Sequence, residues 1–266
     1  MFSAARCSAV LAAVRARSPL VHNITNYVVM NNTANALLAL GASPAMVHAI
    51  EEVEEFVALS QALVVNIGTL STPWIRAMQK AADAANARNI PWILDPVGAG
   101  ATTLRTETAA DLARQRPACI RGNASEILVL AGATAEKTKG VDSTRDSADA
   151  LTPARELAQS TGAIVAVTGP VDYVTDGAQT IALGNGHPLM ARVTGLGCTA
   201  TALIGAALAV EPDRLIAVAS GLSFLALAGE IAAEQSPGPG SLQLHLLDAL
   251  HRLDAATIAR RLTIVG

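Results

Sequence analysis

Short apolar runs that close on a polar residue or a glycine alternate along this chain with longer stretches of helical spacing. Residues 63–68 form such a run, a helical pattern over 73–88 follows, and a second apolar run occupies 91–95. A strand, a helix and a strand in that order predict a β-α-β unit. Such a unit implies a parallel sheet whose ligands collect at the carboxyl ends of the strands. Further strands are expected to end near Arg121, over 163–169, and over 172–177 with a hairpin turn. Residues 42–47 read as a loop beside a short strand. The helices expected are an amphipathic one within 1–20, one over 36–40 stopped by Gly41, and a charged surface helix over 51–59. Two buried helices are expected over 199–210 and 215–229, then an amphipathic one over 242–261 with 237–240 as a turn or linker before it. Residues 137–152 read as a surface loop.

Composition narrows this to an α/β class. At 266 residues with 51% hydrophobic and 15% charged positions, the chain suits one domain over 1–266 with alanine-lined helices packed closely on a sheet, and perhaps on other subunits. A net charge of −3 and 3% aromatics offer neither a basic stripe nor a base-stacking surface, so nucleic acid is not an expected partner. Cys7, Cys119 and Cys198 form no closed set of pairs and no metal or redox spacing, which points to a reducing cytoplasm. Residues 1–20 lack the long apolar core of a signal peptide, because Arg15 and Arg17 interrupt it. The two apolar stretches are each shorter than the ~20 residues of a bilayer span, so no membrane role is expected.

The candidate chemistry gathers at strand ends and helix starts. The turn over 193–198, with Gly195 and Gly197, runs into an apolar helix. Unpartnered N–H groups and the helix dipole make such a start an anion site, and glycine lets a phosphate approach. Taken alone, the glycine pair reads first as a plain loop before a buried helix, since no complete nucleotide-binding fingerprint is present and Ala200 stands where a third glycine would fall. Asp95 closes a strand, where a carboxylate meets a metal, a phosphate-bound water or a helix N-terminus. Asn123 and Glu126 share a helical face and suit Mg²⁺, although the same spacing is that of a capping box. Thr168 either ends its strand or touches a nucleotide phosphate. Five asparagines lie within the thirteen positions 23–35; Asn23 and Asn26 divide evenly between turn chemistry and presenting amides to a small polar ligand. Met46 fits either the core or the wall of an apolar pocket. His187 reads as a loop histidine.

Taken together, Asp95, Asn123 with Glu126, Thr168 and the turn ending at Cys198 suggest phosphoryl transfer, which needs charge neutralisation and preorganised donors. The segments 21–30, 34–35 with 41–46, 94–99, 122–126 and 194–198 resemble, in order, the hydroxyethylthiazole kinases of thiamine salvage, members of the ribokinase-like superfamily. That resemblance implies a three-layer α/β/α fold with a mostly parallel central sheet. It also implies transfer of the ATP γ-phosphate, with Mg²⁺, to the primary hydroxyl of 4-methyl-5-(2-hydroxyethyl)thiazole in a cytoplasmic homotrimer with sites between subunits. Carried over by motif, Asp95 and Glu126 serve the magnesium and phosphates, Arg121 and Thr168 the nucleotide, and Asn26, Met46 and Gly195 the thiazole. Gly197 and Cys198 stand at the catalytic turn, Cys198 where related sugar and pyrimidine kinases carry an aspartate base. The chain departs from the commoner pattern in Asn23, often cysteine, and in the pair Asn31 and Asn32, commonly Asn-Asp. A kinase for another small alcohol such as a hydroxymethylpyrimidine, and a non-catalytic nucleotide- or thiazole-binding regulator, are the competing expectations; a nicotinamide-dependent oxidoreductase ranks last, because the glycine pair comes late in the chain.

Overall fold

The computed structural model of the protein describes residues 1–132 and 146–265. Along the chain the strands are β1 (Leu20–Ile24), β2 (Ser43–Met46), β3 (Ala62–Asn66), β4 (Trp92–Asp95), β5 (Cys119–Asn123), β6 (Ile164–Thr168), β7 (Asp172–Thr175), β8 (Thr180–Leu183) and β9 (Ile264–Val265). They make one sheet in the order β2-β1-β3-β4-β5-β6-β7-β8-β9. From β2 to β6 every pairing is parallel, and β7, β8 and β9 extend the sheet antiparallel. The helices are α1 (Ala4–Arg17), α2 (Met30–Leu40), α3 (Val53–Leu59), α4 (Thr72–Ala87), α5 (Thr103–Arg114), α6 (Ala124–Leu130), α7 (Leu151–Thr161), α8 (Leu196–Leu208), α9 (Arg214–Ala233), α10 (Pro239–Arg252) and α11 (Ala255–Arg261).

Alternation along the strands sorts the core into two slabs. Val21, Val64, Ile93, Cys119 and Ala166 point to one face and pack with α1, α2, α8, α9 and α10. Their neighbours Leu63, Val65, Trp92, Leu94, Ile120, Val165 and Val167 point to the other and pack with α3 to α7. The result is the three-layer α/β/α arrangement with a mostly parallel sheet that the resemblance implied. Because β3, β4 and β6 are buried on both faces, they read as near-continuous apolar runs, while β5 turns polar at Arg121. Each closes on a polar residue: Asn66, Asp95, Asn123 and Thr168. Register places Asn66 opposite Asp95 and Asn123 opposite Thr168, so positions scattered over a hundred residues share one rim.

Several element boundaries differ from expectation. The helix expected over 36–40 starts at Met30, because the asparagines satisfy each other instead of breaking it: Asn35 donates to Asn31 at 3.0 Å and Asn32 to Thr199 at 2.7 Å. The stretch 242–261 holds two helices, broken where Asp254 caps the second by accepting from the Thr257 amide at 2.7 Å. Pro239, inside the expected linker, is already helical. Helix α7 had no counterpart in the reading; part of the expected loop over 137–152 lies outside the described residues, while Ser147–Ala150 form a 3-10 turn leading into α7. The apolar run over 215–229 extends to a 20-residue helix, α9, long enough to cross a bilayer, so length does not exclude a span. Of its apolar window, 83% is buried inside the core. Glu51, Glu52, Glu54 and Glu55 face solvent as expected.

Candidate active site

Helix α8 begins three residues earlier than its apolar pattern, at Leu196, because Gly195 takes φ +80° and turns the chain into the helix. Gly197 is helical and needs no positive φ. Its requirement is space: a Cβ there would lie 2.7 Å from Arg121 Nη1. Leu196, Gly197 and Cys198 therefore present N–H groups with no intrahelical carbonyl, and Gly195 brings no capping side chain. The N-terminus of α8 and the Arg121 guanidinium thus face each other across the end of β5.

Asp95 is held at this end of the sheet with 1% exposure. Its Oδ2 accepts from Asn66 Nδ2 at 2.7 Å and from Thr201 Oγ1 at 2.8 Å. Its Oδ1 has no hydrogen-bond partner among the described residues, and Arg121 Nη1 stands 4.0 Å away. Burial raises the Asp95 carboxyl above the usual range, against the pull of Arg121, Thr201 and Asn66. Glu126 forms the capping box with Asn123: the Glu126 amide donates to Asn123 Oδ1 at 3.0 Å and the Asn123 amide to Glu126 Oε2 at 2.9 Å. The Gly98 amide donates to its Oε1 at 2.8 Å. Burial and the neighbouring Asp95 push Glu126 up to about 7. Asn123 and Glu126 thus form the cap that their spacing offered, and both also line a cavity.

Cys198 lies in the first turn of α8, half-buried, with Asn26 Nδ2 donating to its Sγ at 3.5 Å. A helix start by itself lowers the pKa of a thiol. Here, burial and the charge of Asp95 push the thiol up to about 12, outweighing Asn66, Arg121 and Asn26. Asn26 Nδ2 also donates to Asn66 Oδ1 at 2.9 Å, and Asn26 Oδ1 accepts from the Val28 amide at 3.1 Å. Asn23 Nδ2 donates to Val21 O at 2.9 Å within the strands, while its buried Oδ1 has no hydrogen-bond partner among the described residues.

Two cavities of about 590 and 550 Å³ meet here. The first is lined by Asn26, Asp95, Glu126, Gly195 and Cys198, and the second by Thr168, Asp172, Asn185, His187, Leu222 and Leu225. Arg121, Gly197, Met190 and Ala191 line both, so the α8 N-terminus stands at their junction. Arg121 Nη2 donates to Thr168 Oγ1 at 2.6 Å. His187 accepts from the Leu189 amide on its Nδ1 at 3.2 Å and is a wall residue of the second cavity as well as a loop histidine. Met46, at the end of edge strand β2, lies outside both cavities. Asn66 and Thr201 were missed by the sequence reading. Asn66 closes an apolar run just as Asp95 does, and that parallel was a usable signal; Thr201 gave none.

Among the described residues no cluster of three His, Cys, Asp or Glu side chains gathers as for a metal. Asp95 and Glu126, with the unpartnered Oδ1, suit Mg²⁺ held through one or two carboxylates plus waters and phosphate oxygens, the way that ion is commonly bound.

A parallel sheet clad on both faces, with a bare helix start facing a guanidinium and a buried carboxylate at the strand ends, defines a protein of the ribokinase-like class. Within that class the sequence is specific. The model of the hydroxyethylthiazole kinase family matches residues 11–256, and the chain belongs to that family. It is 58% identical to the hydroxyethylthiazole kinase of Syntrophus aciditrophicus over 97% of this chain and 96% of that one. Among solved structures it is similar to the hydroxyethylthiazole kinase protein of Pyrococcus horikoshii, with TM-score 0.90 and 44% identity over 97% of this chain and 98% of that one. The Staphylococcus aureus pyridoxal kinase in complex with ADP shares the fold, with TM-score 0.60 and 19% identity over 79% of this chain and 87% of that one.

Proposed function

We propose that this protein transfers the γ-phosphate of ATP to the primary hydroxyl of 4-methyl-5-(2-hydroxyethyl)thiazole, as a single kinase unit over 1–266. The observation that carries the reading is the meeting of two cavities at the α8 N-terminus, with Arg121 and Gly197 in both walls. A nucleotide in the Thr168 cavity points its phosphates at that junction, and an alcohol beside Asn26, Gly195 and Cys198 approaches from the other side. In-line transfer needs little covalent chemistry from the protein; it needs the phosphoryl group and the acceptor oxygen held in line and the developing charge met by fixed donors.

In this reading the N–H groups of Leu196, Gly197 and Cys198 and the Arg121 guanidinium meet the oxygens of the transferring group. Asp95 and Glu126 would hold Mg²⁺, which when bound neutralises phosphate charge. Asn66 and Thr201 occupy Asp95 Oδ2, which leaves Oδ1 as the unpartnered oxygen of a residue in the cavity wall. The protonated Cys198 positions the acceptor hydroxyl rather than removing its proton early. Met46, outside the cavities of one chain, serves the thiazole in a homotrimer whose sites lie between subunits. The exposed Tyr27 and Val28 beside Asn26, at 64% and 68% exposure, support an interface there. A cytoplasmic location accords with the free thiols of Cys7, Cys119 and Cys198. ³¹P NMR of the protein with Mg-ATP and the thiazole alcohol tests the chemistry. A new phosphate monoester signal growing as the ATP γ signal falls supports it, and inorganic phosphate alone would contradict it.

A further inference from the structure

Helix α5 packs on the sheet face opposite α8, and Arg105 in its first turn reaches back to the rim that carries the site. Its Nη1 donates to Ile67 O and to Val97 O, both at 2.9 Å, and its Nη2 donates to Gly68 O at 2.9 Å. One planar fork therefore ties the segment leaving β3 to the segment leaving β4. Only a guanidinium offers several donors fixed in such a plane; an ammonium is a single point with no defined spread. The aliphatic stem is part of the same fit, for a Cβ on Gly98 would stand 3.2 Å from Arg105 Cδ.

Each tied segment feeds one arm of the site. Beyond Ile67, the Gly68 amide donates to Asn66 Oδ1 at 2.9 Å. Because that oxygen is taken by Gly68 and Asn26, the Asn66 amide nitrogen is turned towards Asp95. Beyond Val97, the Gly98 amide donates to Glu126 Oε1. The two carboxylates sit on different strands, and the segments that orient them are joined through Arg105.

We propose that Arg105 is a positioning residue for phosphoryl transfer, clamping the exits of β3 and β4 so that Asn66 and Gly98 hold Asp95 and Glu126 at a fixed spacing. This rests on the kinase reading for its catalytic consequence, but the clamp itself is read without turnover.

The test uses Arg105→Ala and Arg105→Lys in the full chain. Steady-state kinetics with Mg-ATP and the thiazole alcohol are combined with thermal unfolding and with hydrogen exchange of peptides bearing the Gly68 and Gly98 amides. Misplacement on the scale of an ångström costs on the order of 10²-fold in rate. The expected result for Arg105→Ala is a fall in kcat of about that size, a KM for the alcohol changed less than about threefold, and faster exchange at Gly68 and Gly98 with the other strand ends unchanged. Arg105→Lys, which keeps the charge but not the fork, falls between the two and carries the kinetic test if the alanine variant does not fold. A kcat per folded molecule within about threefold of the parent in both variants, or unchanged exchange at both glycines, overturns the proposal. A parent protein that turns over no alcohol contradicts the kinase reading, and the exchange result then decides the clamp by itself.

Discussion

At the scale of single residues, Cys198 and Gly197 divide the labour at the helix start. The thiol of Cys198 is pushed up to about 12, so its protonated form persists as pH rises through neutrality and the thiolate forms only as pH approaches that value. At pH 8 the thiolate fraction is on the order of 10⁻⁴, against about a quarter for a free thiol. Iodoacetamide should therefore label Cys198 far more slowly than free cysteine at pH 8, with the rate still climbing above pH 10; a rate that levels off near pH 8.5 would contradict this. A group of that kind is no efficient base, so Cys198→Ser should keep kcat within about 10²-fold of the parent, below the full range of general-base effects. Gly197 is required for a different reason. An alanine methyl would press on the far end of the Arg121 side chain, which yields without unfolding the protein. Gly197→Ala is expected to keep its thermal midpoint while kcat/KM for Mg-ATP falls by roughly 10–10²-fold, measured by steady-state kinetics with the thiazole alcohol.

At the scale of elements, α8 is apolar all round because it lies between the sheet and α9, and its N-terminus is fixed by that burial. Leu203 has 0% exposure, and Leu203→Ala should cost about 2–5 kcal/mol of stability. For a chain of this size that lowers Tm by on the order of 10 °C, read by calorimetry. Turnover per folded molecule should hold, since Leu203 lies beyond the turn that meets Asp95. The sequence signals for these elements were uneven for physical reasons. Buried strands stood out because both faces are apolar, whereas α7, although it buries Ala154, Leu157 and Ala158 on one face, follows directly on the polar stretch 137–152 and merged with the loop expected there. Asn31, Asn32 and Asn35 carry the side chains of turn chemistry, yet inside α2 they are partners of one another and of Thr199. Asp95 and Thr168 were legible because a polar residue closing an apolar run is conspicuous. Arg105 was not, since an arginine within a helix resembles any solvated one until the neighbouring strand exits are in place.

At the scale of the molecule, the sheet order brings Asn66, Asp95, Asn123 and Thr168 to one rim, and α8 closes that rim from the other end of the chain. Motif resemblance named the family that the comparisons bear out, while the two meeting cavities and the network behind Asp95 required the fold. The assembly state belongs to this scale too. Sedimentation equilibrium should return about three times the 27.2 kDa chain mass, and a monomer with full activity would contradict a site completed between subunits. The central claim is the pairing of this phosphate junction with a thiazole alcohol. Its most direct test is a coupled assay of ADP release from Mg-ATP with hydroxyethylthiazole and hydroxymethylpyrimidine offered separately. The account predicts turnover with the thiazole alone; turnover confined to the pyrimidine, or ATP binding without turnover of either, would contradict it.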